Sequence, residues 1–437
     1  MIPLQSLTFE HKSDDDCENS EGYHFLNNFQ LHDVERRAGQ GDAFSGPVHI
    51  HIYIYADGRY GTFSTNRLVE EELEDFIGKA IQMVKMLGED EFRRLPDAER
   101  TASDALTGQE LGLYDSEFEE SSSDLRLQRS RELSLYRSIA GSSEGFRLIS
   151  EECEYSCTSD ESYTADSQGF EGRHSETAFG TFSEMTIQDK EGNRYSGYWW
   201  QATPMAAETD FEGCGMMALE RAVKQIGPKK RRSGRYRMVV DTSVASRLVS
   251  PLLTALNSAS IQQKMSFLED TKDTKVFHEG MTLMDLARTP GKNGSRLFDT
   301  EGVATKDAPI IENGVVKQYF TNTYQALKMG IEPTVEDISR PCLMPYMKGL
   351  ELADKENSVS LKDILQYCRN GILVTGFNGG NSNPVTGDFS FGIEGFAFRN
   401  GKITHPVREM LITGNLKDLW NNLIAAGTDA RPSSRWQ

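Results

Sequence analysis

Apolar and polar residues alternate over residues 47–66, PVHIHIYIYADGRYGTFSTN. Val48, Ile50, Ile52 and Ile54 face one way; His49, His51 and Tyr53 face the other. A period of two followed by Asp57-Gly58 predicts a β-hairpin with one buried face. From Val69 the period changes. Val69, Leu73, Phe76, Ile77, Ala80, Ile81, Val84 and Leu87 recur at steps of three and four, which predicts a helix over 69–88. A polar stretch at 97–125 leads into a second helix through DLRLQRSRELSLYRSIA. Residues 141–178 are rich in Ser, Glu, Asp and Gly and poor in large apolar side chains, so they read as a mobile loop or a sheet edge. Residues 179–201 read as two strands about a turn at Glu191-Gly192-Asn193. A helix over 211–226 ends at Gly227-Pro228.

The second half is built from hairpins. RYRMVVD reads as a strand, and Thr242 or Ser243 is placed to cap the helix VASRLVSPLLTALNSAS, in which Pro251 forces a kink or a fresh start. Strand patterns follow at VFHEGMTLMD, at APIIENGVVKQYFTN about Asn313-Gly314, at NGILVTGFNGG, and at GDFSFGIEGFAFRNGKITHPVREMLITG about Asn400-Gly401. Asn-Gly between alternating runs is a strong hairpin signal. The expected class is therefore α+β, in two domains: a mixed N-terminal region, 1–228, and a hairpin-rich antiparallel region, 229–437.

Composition narrows the function. The 437 residues hold 66 acids against 47 Lys and Arg, a formal charge of −19 that disfavours nucleic acid or an anionic membrane as a partner. The basic run Lys229-Lys230-Arg231-Arg232, with Arg235 and Arg237, goes the other way and reads as a solvated linker. No stretch approaches the ~18 apolar residues of a membrane span, and the first residues show no secretory signal. Six scattered cysteines suit a reducing cytosol, and Cys153 and Cys157 have no second Cys/His pair nearby to complete a zinc site.

Local catalytic motifs are scarce. Phe277-His278-Glu279-Gly280 opens like a zinc-protease helix, but Thr282 and Leu283 stand where a second His is needed, and the pattern around them reads as a strand. None of the eight histidines has a His three to five residues on. His49 and His51 share a strand face and, with His278, are the scattered donors from which a metal site would have to be assembled. There is no Gly-x-Ser-x-Gly elbow and no phosphate-binding lysine loop. Asp299 and Glu301 form either an acid pair or the cap of a turn before Gly302.

RLFDTEGVATKDAPIIENGVVKQYFTNTYQALKMG and VTGFNGGNSNPVTGDFSFGIEGFAFRNGKITHPVREMLITGNLKDLW resemble the TldD/PmbA family, called modulators of DNA gyrase and zinc metalloproteases. The likeness spans about residues 45–430. Relative to that family, the chain lacks the helix that usually precedes the first hairpin and stops at ARPSSRWQ, where relatives continue into another strand. The resemblance implies two branches: TldD-type chains with a His-Glu-x-x-x-His helix and a late Cys ligand, and PmbA (TldE)-type chains that lack these and pair with a TldD-type chain. The corresponding helix here, SVASRLVSPLLTALNSASIQ, holds no His, Glu or Cys, and no Cys follows Cys368. The resemblance thus implies a cytoplasmic PmbA/TldE-like subunit without zinc, with zinc on the TldD-type partner and unfolded peptide as substrate. It allows a homodimer in isolation. A homodimeric metallopeptidase and a non-catalytic peptide-binding scaffold are the alternatives. Asn378, Asn381, Asn383, Thr386 and Asp388 are the candidate peptide-binding residues, since a Gly/Asn-rich loop offers backbone and amide donors; the alternative is a tight turn. No catalytic or metal-binding residue is assigned.

Overall fold

The computed structural model describes residues 27–32, 49–67, 69–135, 145–349, 358–429 and 431, with the side chains of 27–32, 49 and 123 outside the description. Strands β1 (Asn27–His32), β2 (His49–Ala56) and β3 (Arg59–Thr65) form an antiparallel sheet in that order. Asp57 and Gly58, at φ 51° and 68°, make the expected tight turn. Helix Glu70–Val84 lays Leu73, Ala80 and Val84 over Ile50, Ile52 and Ile54. Strand β1 lies upstream of the alternating run and was not expected.

Of the two alternatives for 141–178, the second sheet bears out the sheet edge and not the loop. It consists of β4 (Phe146–Ala165), β5 (Glu171–Asp189) and β6 (Arg194–Thr203), again antiparallel in that order. The strand period is present, but its inward positions carry hydroxyls: Ser175, Thr177, Thr181 and Ser183 are all buried in β5. Thr177 donates its hydroxyl to the carbonyl of Pro204 at 2.8 Å, which offsets the cost of burying it. Hydropathy therefore falls while the pleat persists. Helix Phe211–Lys224 covers the sheet, capped by Asp210, whose carboxylate accepts from Gly213 N at 2.9 Å. Gly197 of β6 permits this approach, because a Cβ there would lie 2.3 Å from Ala222 N and 2.5 Å from Ala218 O.

The second half begins at β7 (Met238–Val240). Strands β8 (Leu283–Asp285), β9 (Ala308–Glu312), β10 (Val315–Val316) and β11 (Pro341–Leu343) make a sheet of order β10-β9-β8-β11. Then come β12 (Tyr346–Met347), β13 (Asn370–Ser382), β14 (Asp388–Arg399), β15 (Lys402–Asn415) and β16 (Ala425–Ala426). Of these, β15-β14-β13-β7 form one sheet, with β7 parallel to β13, and β12 pairs with β16. Asn313-Gly314 and Asn400-Gly401 both turn at positive φ, as expected. The class is α+β.

Three local expectations need correction. His278, Glu279 and Gly280 lie in a turn, and the strand starts only at Leu283. The helical region after β7 is capped by Asp241, which accepts from Ser243 N at 3.0 Å, and not by Thr242 or Ser243. The single helix expected over 244–260 is two: Ser246–Ala255, with Pro251 inside it, and Ser258–Gln262, started by Asn257.

The first sheet meets the C-terminal half through polar groups. The guanidinium of Arg93 lies 4.3 Å from the ring centre of Tyr60 and 3.3 Å from that of Tyr324, and Tyr324 donates to Asp90 at 2.9 Å. Beneath them, Asp299 closes a turn: its carboxylate accepts from the amides of Glu301 (3.0 Å), Val303 (2.9 Å) and Glu336 (2.8 Å). Glu301 accepts from Thr323 N and Oγ1, both at 2.8 Å. The pair thus builds loops. Burial outweighs these donors and pushes Asp299 up to about 6 and Glu301 up to about 7.

Two outcomes are expected. Both carboxyls have folded pKa values above their unfolded ones, so their contribution to stability is complete below about pH 4 and lost as pH rises towards about 7. Urea unfolding across that window should show the parent chain losing stability relative to Glu301→Gln, which cannot ionise. Gly197→Ala should cost about 1–3 kcal/mol, read as a lower denaturation midpoint, because helix Phe211–Lys224 must move off the sheet.

Candidate functional site

A cleft of about 1790 Å³ opens in the C-terminal half, with the end of β6 and Glu208 on its rim. Helix Ser246–Ala255 forms one wall. Leu252, Ala255 and the following Leu256 point into the main core, packed with Phe320, Phe389 and Phe391. That fixes the rotation of the helix. Ser246, Val249, Ser250 and Leu253, at helical steps of three and four, line the cleft. The second wall is β15, an edge strand, whose residues 409–414 line the cleft. Glu409 sits there at φ 55°, where the β14–β15 register slips between Ile393 and Gly395, and it pairs with Lys230 at 3.3 Å. A bulge of this kind turns a side chain out of the regular alternation.

His278 reaches the cleft from its turn. Its Nδ1 accepts from Gly280 N at 2.9 Å, which leaves the neutral ring's proton on Nε2, and its ring lies 5.6 Å from that of Tyr346. Zinc in a protease site takes three protein ligands from His, Asp, Glu or Cys. The helix face presents Ser, Val, Ser and Leu, and among the described residues no three potential ligands converge. The residues of this cleft do not fit a zinc ion. His51 stands on β2 and is engaged in an interaction of its own; the side chain of His49 is outside the described residues.

The five candidate loop residues lie at the end of the β13–β14 hairpin. Asn383 donates its backbone N–H to Asp388 O at 2.7 Å and accepts at Oδ1 from Val385 N at 2.9 Å. Thr386 donates to Asp388 Oδ2 at 2.8 Å. Asn415 ties the loop to β15, donating to Thr386 O at 2.8 Å and Asp388 Oδ1 at 3.0 Å, and with Thr386 it holds the Asp388 carboxyl below the usual range. Asn378 donates to Glu394 at 3.2 Å, and Asn381 pairs with Ser390 in the ladder. The turn therefore brings Asn383, Thr386 and Asp388 together. Asn415 lines the cleft and the other five stand beyond its wall.

Sequence reasoning missed the role of the basic run. It is solvated, as expected, but Arg231, Arg232 and Arg235 also stand at the cleft. Its signal was available: a cluster of cations in a chain of net charge −19.

Residues 233–436 match the PmbA/TldA metallopeptidase C-terminal domain, and residues 120–226 match the PmbA/TldA metallopeptidase central domain. A crystal structure of a Bacteroides thetaiotaomicron protein described as a candidate modulator of DNA gyrase superposes with a TM-score of 0.81 at 37% identity, covering 95% of this chain and 91% of that one. TldE from Thermococcus kodakarensis shares the fold, with a TM-score of 0.72 at 20% identity over 91% of this chain and 88% of its own. A metalloprotease PmbA homolog of Haemophilus influenzae is 25% identical over 416 residues, 90% of this chain and 84% of the relative. Domain matches, sequence likeness and fold agree over most of the length: the chain belongs to the PmbA/TldD metallopeptidase family.

Proposed function

We propose that this chain is the PmbA/TldE-like subunit of a TldD/TldE-type metalloprotease, a subunit that shapes the peptide-admitting cleft while a TldD-type partner supplies the zinc. The observation that carries this reading is the helix Ser246–Ala255. It occupies a cleft wall, yet its open face offers two serines and two aliphatic side chains. None of them binds zinc or activates water on a metal.

The cleft suits an extended, unfolded peptide. Strand β15 ends its sheet, and residues 410–414 meet no further strand among the described residues. An extended segment can add to such an edge through main-chain hydrogen bonds, with alternate side chains reaching the cleft floor. Leu411 is 65% exposed there, an apolar side chain placed to be covered. Among the described residues no helix is long and apolar enough to cross a membrane, and Cys153, Cys157, Cys214, Cys342 and Cys368 are free thiols. The free thiols suit a reducing, cytoplasmic setting. A charge of −19 opposes direct contact with DNA. The reading allows a homodimer in isolation, by analogy with a family that pairs two like folds.

Zinc content decides between a partner-dependent subunit and a self-sufficient enzyme. The untagged chain purified alone should hold under about 0.1 zinc by elemental analysis and leave an unfolded protein uncleaved, because a committed zinc site binds tightly. With a TldD-type chain it should co-purify as a zinc-containing complex that cleaves the same protein. Near one zinc per chain in isolation would overturn the reading and make His51 and His278 the residues to mutate. A further outcome tests the wall itself. Ser250→Trp should lower kcat/KM of the complex about tenfold, a barrier change of about 1.4 kcal/mol, with zinc content unchanged.

A further inference from the structure

The cleft's charge is opposite to that of the chain around it. Eight Lys and Arg line it against four Asp and Glu, while the whole chain has 47 against 66. The cations come from separate places in the sequence: the 231–237 segment, Lys292 on the β8–β9 connection, Arg340 before β11, Lys348 after β12, and Arg431. Convergence from so many places is a property of the fold and not of one charge run.

Several of these cations are uncommitted. Arg237 donates to Cys368 O at 2.7 Å, and Arg431 donates to Trp200 O at 3.0 Å while lying 3.9 Å from the ring centre of Trp199. These two hold the fold. Arg232, Arg235, Lys292 and Lys348, by contrast, form no side-chain ion pair or hydrogen bond with any described residue. The opposing acids are partly committed: Glu409 pairs with Lys230 at 3.3 Å, and Glu208 accepts from Thr203 at 3.1 Å. Clefts lined by one sign of charge focus the field and concentrate ligands of the other sign.

We infer that the cleft selects acidic segments of unfolded peptides, with Arg232, Arg235, Lys292 and Lys348 as the residues that read the charge. The inference rests on the peptide-binding reading above and adds a substrate class to it. An alternating peptide fits both parts of the site. Added to the β15 edge, it turns one set of side chains to an aliphatic floor that includes Val249, Leu253, Ile393 and Ile412. A nucleic acid of similar charge is the poorer fit. Bases stack on open aromatic faces, whereas Phe389 and Trp420 are buried in the core and only Tyr236 is open among the lining aromatics.

The test uses the full-length chain and calorimetric titration with three synthetic peptides. All share one length and one alternating apolar pattern, with the polar positions filled by Glu, by Gln or by Lys. The Glu peptide should bind about tenfold tighter than the Gln peptide and the Lys peptide weakest, since several exposed pairs of small individual worth add up. The advantage should shrink as salt rises. Replacing Arg232, Arg235, Lys292 and Lys348 together by Gln should bring the Glu peptide level with the Gln peptide, whose own affinity moves by less than about twofold. A thermal melt matching the parent's shows that the variant is folded. Equal binding of the Glu and Gln peptides by the parent chain overturns the charge selection and leaves the peptide reading standing. Binding of none of the three overturns both. A single-stranded oligodeoxynucleotide of equal charge that binds as tightly as the Glu peptide overturns the assignment to peptides.

Discussion

The burial of one face of helix Ser246–Ala255 decides the chemistry open to this protein. Leu252 and Ala255 are fully buried with Phe320, Phe389 and Phe391, and close packing of that kind leaves a helix one rotation. The opposite face is then fixed as a cleft wall, whatever residues it carries. In a relative with ligands on that face, the same packing would present a metal site. Here it presents Ser246, Val249, Ser250 and Leu253. The scaffold persists because its packing face is independent of its open face. An open face without ligands costs the core nothing.

The cleft's second wall depends on the long hairpins. Strand β14 is paired on both sides, so β13 and β15 flank it, and β15 is left as an edge. The loop at 383–387 joins β13 to β14, and Asn415 pins it and the start of β14 to the end of β15 through two hydrogen bonds donated by its side-chain amide. Two of the residues first singled out as peptide-binding, Thr386 and Asp388, therefore hold the end of the edge strand. The Asn383 side chain accepts from Val385 N inside the turn, and Thr386 donates to Asp388.

Much of this architecture was legible from sequence because a few positions admit few conformations. Asp57-Gly58, Asn313-Gly314 and Asn400-Gly401 need positive φ, and that need writes itself as Asn or Asp followed by Gly. The helix over Glu70–Val84 was legible because its buried partners are aliphatic. The hairpin of β4 and β5 was not, because its inward positions use Ser and Thr, whose burial is made tolerable by partners such as Pro204 O that lie far along the chain. His278-Glu279-Gly280 looked extended for the converse reason: apolar neighbours such as Phe277 and Met281 are buried around a turn and not along a strand.

The site was legible in part, and the division follows the range of the interactions. A helix without ligands is a local fact, visible in SVASRLVSPLLTALNSASIQ without any structure. A field is not local. Lys292, Arg340 and Lys348 are single cations in unremarkable contexts, and the run at 229–237 looks like an ordinary solvated linker until the fold gathers them about one opening. In a chain with an excess of acids, such a gathering leaves cations facing the cleft unpaired while carboxylates are plentiful elsewhere. Exposed ion pairs are individually weak, so folding alone gives little reason to neutralise these cations internally. What keeps them unpaired is position: the acids that line the cleft are few, and Glu409 is already drawn to Lys230.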